Sequence, residues 1–234
     1  LPKAMSLLFR LPSDNRFFYG LLIILSIWHV WSLPFSPLPW FDETFFASMT
    51  HSLISGNGFV VEVNDLMDRD KQVYLYGPVY FLLTGASVEL FGMDIIPFRI
   101  VNFLFGGLTL WVFYQLMRQL KVSMLLSRAL ILLILFDVLF VQNAHSGRME
   151  MVTLFFALSA FLFYFKSKEV SSDLNTAIMA LAGILAFLTT PRIIVLIFPL
   201  FGVAVIQRMM SKKWKEVGLL LTIPVAIYLV WLFS

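Results

Sequence analysis

Residues 76–91 read Tyr-Gly-Pro-Val-Tyr-Phe-Leu-Leu-Thr-Gly-Ala-Ser-Val-Glu-Leu-Phe, and the fate of this stretch decides the topology of the chain. It is uncharged up to Glu89 and apolar enough to enter a bilayer. It is also short of the roughly 20 residues that cross a hydrocarbon core of about 30 Å. Gly77, Pro78 and Gly85 interrupt it, and Glu89 and Gly92 close it. Seven other apolar runs lie near 17–34, 95–117, 129–144, 151–165, 174–190, 193–207 and 217–233.

The positive charges settle which runs cross. With 76–91 outside the bilayer core and the N-terminus cytoplasmic, 12 of the 17 Lys and Arg fall on the cytoplasmic side and 5 outside. If 76–91 crosses, every later loop changes side and the split becomes 6 against 11. Cytoplasmic loops carry the excess of Lys and Arg. The expected fold is therefore an all-α polytopic membrane protein of about seven transmembrane helices, with 76–91 lying in or on the outer face. Trp28, Trp31 and Trp40 at the outer end of the first span suit an aromatic belt.

Composition agrees. Of 234 residues, 60% are hydrophobic and 13% charged, about half the roughly 25% charge of a soluble domain. A soluble globular domain, a disordered chain and a nucleic-acid-binding module are excluded. There is no Cys, so disulfides and thiolate chemistry are excluded too. Residues 17–34 are too long for a signal-peptide core and lack a clear cleavage site, so they read as a span. The chain begins at Leu1 and ends at Ser234 directly after an apolar run, and is expected to be part of a longer protein. Residues 1–234 read as a single transmembrane domain with one long external loop, 35–94.

That loop holds Asp42, Glu43, Glu62, Asp65, Asp68, Asp70, Glu89 and Asp94. Residues 43–54 read as a short amphipathic helix ending at Gly56-Asn57-Gly58, and 59–75 as irregular or extended. Asp42-Glu43, behind the Pro-rich exit Pro34, Pro37 and Pro39, is the sharpest feature. Two adjacent carboxylates at the membrane surface serve as a general base or hold a divalent cation. Alternatively Asp42 is a helix N-cap with Glu43 in the first turn.

Arg148 and Glu150 stand in a short external loop, facing the same space as Asp42. They suit binding of a substrate hydroxyl or phosphate, or form a surface ion pair at a helix start. Arg192, after Thr189-Thr190-Pro191, is either a phosphate partner or a snorkelling interfacial Arg. Asp137 lies inside a span and is expected to pair with a neighbouring helix. The Asp68-x-Asp70 pair reads either as metal ligands or as a solvated loop, and His51 and His145 are weak candidates for a ligand or proton shuttle. No phosphate-cradling or zinc-protease motif is present.

In order and spacing these segments resemble the GT-C superfamily of membrane glycosyltransferases, in particular the branch of protein O-mannosyltransferases and lipid A aminoarabinose transferases. The resemblance is carried by Trp40-Phe-Asp-Glu-Thr-Phe-Phe-Ala, Gly56-Asn-Gly-Phe, Tyr76-Gly-Pro-Val-Tyr-Phe-Leu-Leu with Leu90-Phe-Gly, Phe98-Arg-Ile-Val-Asn-Phe-Leu-Phe-Gly-Gly-Leu and Gly147-Arg-Met-Glu150. Many relatives have Lys or His where this chain has Tyr76-Gly77, and Thr-Lys-Gly where it has Thr190-Pro191-Arg192.

The resemblance implies an inverting transferase that moves a sugar from a polyprenyl-phosphate carrier to a hydroxyl-type acceptor (lipid, glycan or protein) on the outer face. In a bacterium the membrane would be the inner one. It implies Asp42 and Glu43 as catalytic residues, with Asp42 the base, and Glu150, Arg148, Arg192 and Tyr76 as substrate-binding residues. No cofactor is certain, though a divalent metal is possible; the partners are the donor and membrane lipid, with no nucleic acid. The competing class is a transporter, flippase subunit or cell-envelope scaffold, or an inactive relative. A transporter favours charged or broken helices near the midplane, where only Asp137 stands.

Overall fold

The computed structural model describes residues 15–61, 76–170 and 172–233. Glu62, Asp65, Asp68 and Asp70 lie outside the described residues. The described residues form ten α-helices and one short 3-10 turn. They are α1 (Asn15–Ser32), α2 (Phe41–Ile54), α3 (Pro78–Phe91), α4 (Ile95–Gln119), α5 (Met124–Phe136), α6 (Val138–His145), α7 (Glu150–Glu169), α8 (Asp173–Phe187), the turn Pro191–Ile193, α9 (Ile194–Met210) and α10 (Trp214–Phe233).

Four of these are long and apolar enough to cross a membrane: α4, α7, the turn with α9 (Pro191–Met210), and α10. The run 129–144 is a bent pair, α5 and α6, meeting at 65°. Counted as one, it makes a fifth crossing. The remaining two expected spans are the shorter apolar helices α1 and α8. The bend lies at Asp137, which is expected from the sequence to pair with a neighbouring helix but has no such partner among the described residues. Its backbone is extended, and its Oδ1 accepts from the Phe140 N–H at 2.8 Å, capping α6. The side chain thus satisfies an orphan donor that the broken helix exposes.

The stretch 76–91 forms α3, about 21 Å long at 1.5 Å per residue. Pro78 occupies its first turn, where a missing N–H is harmless. Gly77 is required at its N-cap: a Cβ there would lie 2.0 Å from the Leu188 carbonyl oxygen. The closeness lets Val79 N–H donate to Leu188 at 3.2 Å, fastening the start of α3 to the end of α8. α2 and α3 run side by side in parallel. Phe46 meets Tyr80, and the Thr50 and Thr84 hydroxyls bond each other at 2.9 Å one turn further on. Gly56 and Gly58 turn the chain out of α2 at φ of 80° and 78°, a region where glycine carries no steric penalty.

The two largest of four apolar clusters among the described residues hold these helices together. One lies under α2 and α3, where Phe46, Met49, Tyr80 and Phe81 pack against Val101 of α4 and Val152 of α7. The other joins α7 to α10 and is rich in alanine: Ala157 and Ala160 face Ala180 and Ala186. Small side chains let helix axes approach closely, the usual basis of packing in lipid. Away from α2 and α3, Arg208 donates from Nε to Glu216 at 2.9 Å and from a terminal nitrogen to the Ser167 hydroxyl at 2.6 Å, and Thr176 donates to the same Glu216 at 3.1 Å. This buried cluster ties α7, α8, α9 and α10.

Candidate active site

Glu43 organises the site. It stands at the third position of α2, whose N-cap is Trp40 and not Asp42. One oxygen, Oε2, accepts from the Trp40 N–H at 3.0 Å, the returning half of a capping box. The other, Oε1, accepts from the Gly147 N–H at 2.6 Å. Arg99, one turn inside α4, donates to both: Nε to Oε1 at 3.1 Å and Nη2 to Oε2 at 3.0 Å. Arg99 also donates to the carbonyls of Leu33 and Pro37, each at 2.8 Å. Arg99 is fully buried and Glu43 is 5% exposed. A buried ion pair persists only when its remaining donors and acceptors are met, and four protein donors meet this carboxylate.

The neighbours of this pair face the other way. Asp42 and Arg148 each stand one residue from a buried partner, Glu43 and Gly147, and are partly exposed. Arg148 lies 3.4 Å from Asp42 and 2.7 Å from Glu150. Three residues chosen from sequence thus converge as carboxylate, guanidinium, carboxylate. Both acids lie in first helical turns, Asp42 of α2 and Glu150 of α7, where the helix dipole favours negative charge. Because the N-cap is Trp40, Asp42 is not used as a cap and its carboxylate stays available.

Tyr76 stands just before α3, half-buried, with its ring edge-on to Phe46 at 5.4 Å. Arg192 sits in the 3-10 turn after α8, exposed, with no ion pair or hydrogen bond among the described residues. It is four residues past Leu188, which the start of α3 touches. His51 is exposed on α2. His145 is buried, its Nε2 3.1 Å from His29 Nδ1 and its Nδ1 3.3 Å from the Ser36 carbonyl. It buttresses the loop 33–37 and not the acids.

No group of three or more His, Cys, Asp or Glu among the described residues is placed to hold a metal ion. Between Asp42 and Glu150, the position a shared cation would take is held by the guanidinium of Arg148.

Sequence reasoning missed Arg99 and Asn102. Asn102 donates to the Ser146 carbonyl at 2.7 Å and to the Tyr80 hydroxyl at 3.2 Å. Burial pushes the Tyr80 phenol far above its ordinary range, so it stays a neutral hydroxyl. The signal was present in Phe98-Arg-Ile-Val-Asn: an Arg and an Asn three apart inside an apolar run share one helix face and must find partners there.

The fold and this cluster define the class: a polytopic helical membrane protein with an acid–arginine site where α2, α3, α4 and α7 begin. Residues 76–231 match the family described as dolichyl-phosphate-mannose-protein mannosyltransferase, and the chain belongs to that family. Among solved structures it is similar to ArnT from Cupriavidus metallidurans bound to undecaprenyl phosphate, with a TM-score of 0.68 and 19% identity. That similarity covers 93% of this chain and 42% of ArnT, so the chain spans less than half the length of that protein. No curated protein sequence matches the chain significantly.

Proposed function

We propose that the protein transfers a sugar from a polyprenyl phosphate to a hydroxyl-type acceptor, with the site at the outer membrane face and the N-terminus cytoplasmic. The observation that carries this reading is the convergence of Asp42, Arg148 and Glu150 on a base of buried, fully bonded Glu43 and Arg99. Family membership and the undecaprenyl phosphate bound by ArnT support the donor class.

In this reading Asp42 accepts the acceptor's proton as the hydroxyl attacks the anomeric carbon. The bond from that carbon to the phosphate oxygen breaks and the configuration inverts. The leaving polyprenyl phosphate is anionic and needs charge stabilisation, not a proton. Arg148 supplies it by turning from Asp42, with Arg192 of the 3-10 turn as the second cation. Glu150 keeps Arg148 oriented and, with Tyr76, borders the sugar. Glu43 acts as a positioning residue, since its lone pairs are spent on protein donors.

A second reading, translocation of a lipid-linked sugar without transfer, draws on the bent pair α5–α6, because broken helices recur in transporters. One experiment separates the two. Full-length protein in membranes is given labelled polyprenyl-phosphate sugar, beside Asp42→Asn. Losing a general base costs roughly 10²–10⁴ in rate. Transfer reduced at least about 100-fold at unchanged expression supports Asp42 as base. Equal transfer by both proteins removes Asp42 from that role. Translocation with no transfer from any donor establishes the second reading.

A further inference from the structure

Away from Asp42, α1, α4 and the bent pair α5–α6 enclose an apolar groove of about 1240 Å³. It runs along α4 from Phe103 to Gln115, about 18 Å at 1.5 Å per residue. One leaflet contributes about half of a hydrocarbon core of roughly 30 Å, so the groove matches the length of a single acyl chain. Gly106 and Gly107 line it without side chains, and a Cβ on Gly107 would meet nothing within 4 Å. One end is closed by the paired imidazoles of His29 and His145.

The other end is polar and positive. Arg128 of α5 lines it with Tyr19, Tyr114 and Gln115. The guanidinium lies over the Phe18 ring, 5.4 Å from its centroid, and has no carboxylate partner among the described residues. Each other Arg lining an enclosed part of the molecule, Arg99 and Arg208, is bonded to a buried glutamate. A half-buried guanidinium at the mouth of an apolar channel calls for an anion that brings its own hydrocarbon.

We propose that this groove binds one anionic phospholipid of the leaflet at the Arg128 end. Its phosphate takes the Arg128 guanidinium and the nearby hydroxyl and amide donors, and one acyl chain lies along Gly106 and Gly107. The bound lipid fills the gap between α1 and α4 and holds α1 to the bundle. The proposal is independent of the transfer chemistry, because the groove shares no residue with the Asp42 cluster.

Native mass spectrometry of the full-length protein in detergent tests it, using phosphatidylglycerol and phosphatidylcholine with the same acyl chains. Retention of one phosphatidylglycerol, preferred about tenfold or more, is the expected result, a tenfold ratio corresponding to about 1.4 kcal/mol. Arg128→Gln should abolish the preference, Arg128→Lys should keep most of it, and Gly107→Trp should remove both lipids by filling the groove. Equal retention of the two lipids, a preference that survives Arg128→Gln, or binding that survives Gly107→Trp overturns the proposal. Displacement of phosphatidylglycerol by an equimolar polyprenyl phosphate also overturns it, by giving the groove to the carrier.

Discussion

Arg99 and Glu43, 56 residues apart in sequence, meet in a two-pronged ion pair at 3.0 and 3.1 Å. Removing one partner of a buried pair strands the other charge, which costs about 3–5 kcal/mol. Arg99→Leu and Glu43→Gln should therefore each lower the thermal midpoint strongly. The double variant should cost clearly less than the two single effects added. Thermal unfolding of the four proteins in detergent gives the coupling, and additive effects would refute the pairing as the source of stability.

Arg148 is only about a third exposed yet touches two carboxylates that are themselves partly open. Pairs of this kind contribute little to stability, typically below about 1 kcal/mol. Arg148→Ala should leave the midpoint nearly unchanged. It should lower kcat for sugar transfer by about 10²–10³, the usual effect of losing one electrostatic donor. Kinetics and thermal unfolding measured on one preparation check both halves, and a large stability loss with normal kcat would reverse the assignment.

Gly77 allows no side chain. A methyl group would meet the Leu188 carbonyl oxygen at 2.0 Å and its carbon at 2.4 Å, and both are backbone atoms that cannot rotate away. Gly77→Ala should part α3 from the end of α8, costing on the order of 1–3 kcal/mol as overpacking does. Gly107→Ala, whose new methyl meets nothing within 4 Å, is the matched control and should be neutral or better. Limited proteolysis near residue 77 reports the parting; equal resistance in the two variants would contradict it.

Glu216 stands apart from the acids of the site. It accepts from Arg208 and Thr176 and is 5% exposed. Glu216→Ala should destabilise by about 3–5 kcal/mol, as breaking a buried pair does, while the KM for the donor stays unchanged in the folded fraction. Thermal unfolding and donor titration read the two effects separately.

The helical membrane architecture was legible because it rests on long-period signals. Apolar runs locate α4, α7, α9 and α10. The convergence of Asp42, Arg148 and Glu150 was foreshadowed because each is a charge at the edge of an apolar run, where helices begin. What stayed hidden depends on pairing across distance. Arg99 counted merely as an external charge, because nothing local shows that Glu43 reaches it. Asp42 was open between base and N-cap; the capping geometry set by Trp40 turns it outward and buries Glu43. Asp137 looked like a buried acid seeking a partner; its role as the cap of a broken helix follows from a backbone angle that composition does not encode.

The four attachments of Glu43 also impose an order on biosynthesis. The carboxylate is synthesised 56 residues before Arg99 and 104 residues before the Gly147 amide. At about 5–20 residues per second, it waits roughly 5–20 s for its last donor. For the first 56 of those residues only the Trp40 N–H is at hand, so the nascent segment must remain at the aqueous surface until Arg99 follows. α2 can settle against the bundle only after α4 and the loop beyond α6 have left the ribosome. The acid–arginine cluster is therefore among the last parts of this region to close, and a chain stalled before Gly147 would leave Glu43 with three of its four donors.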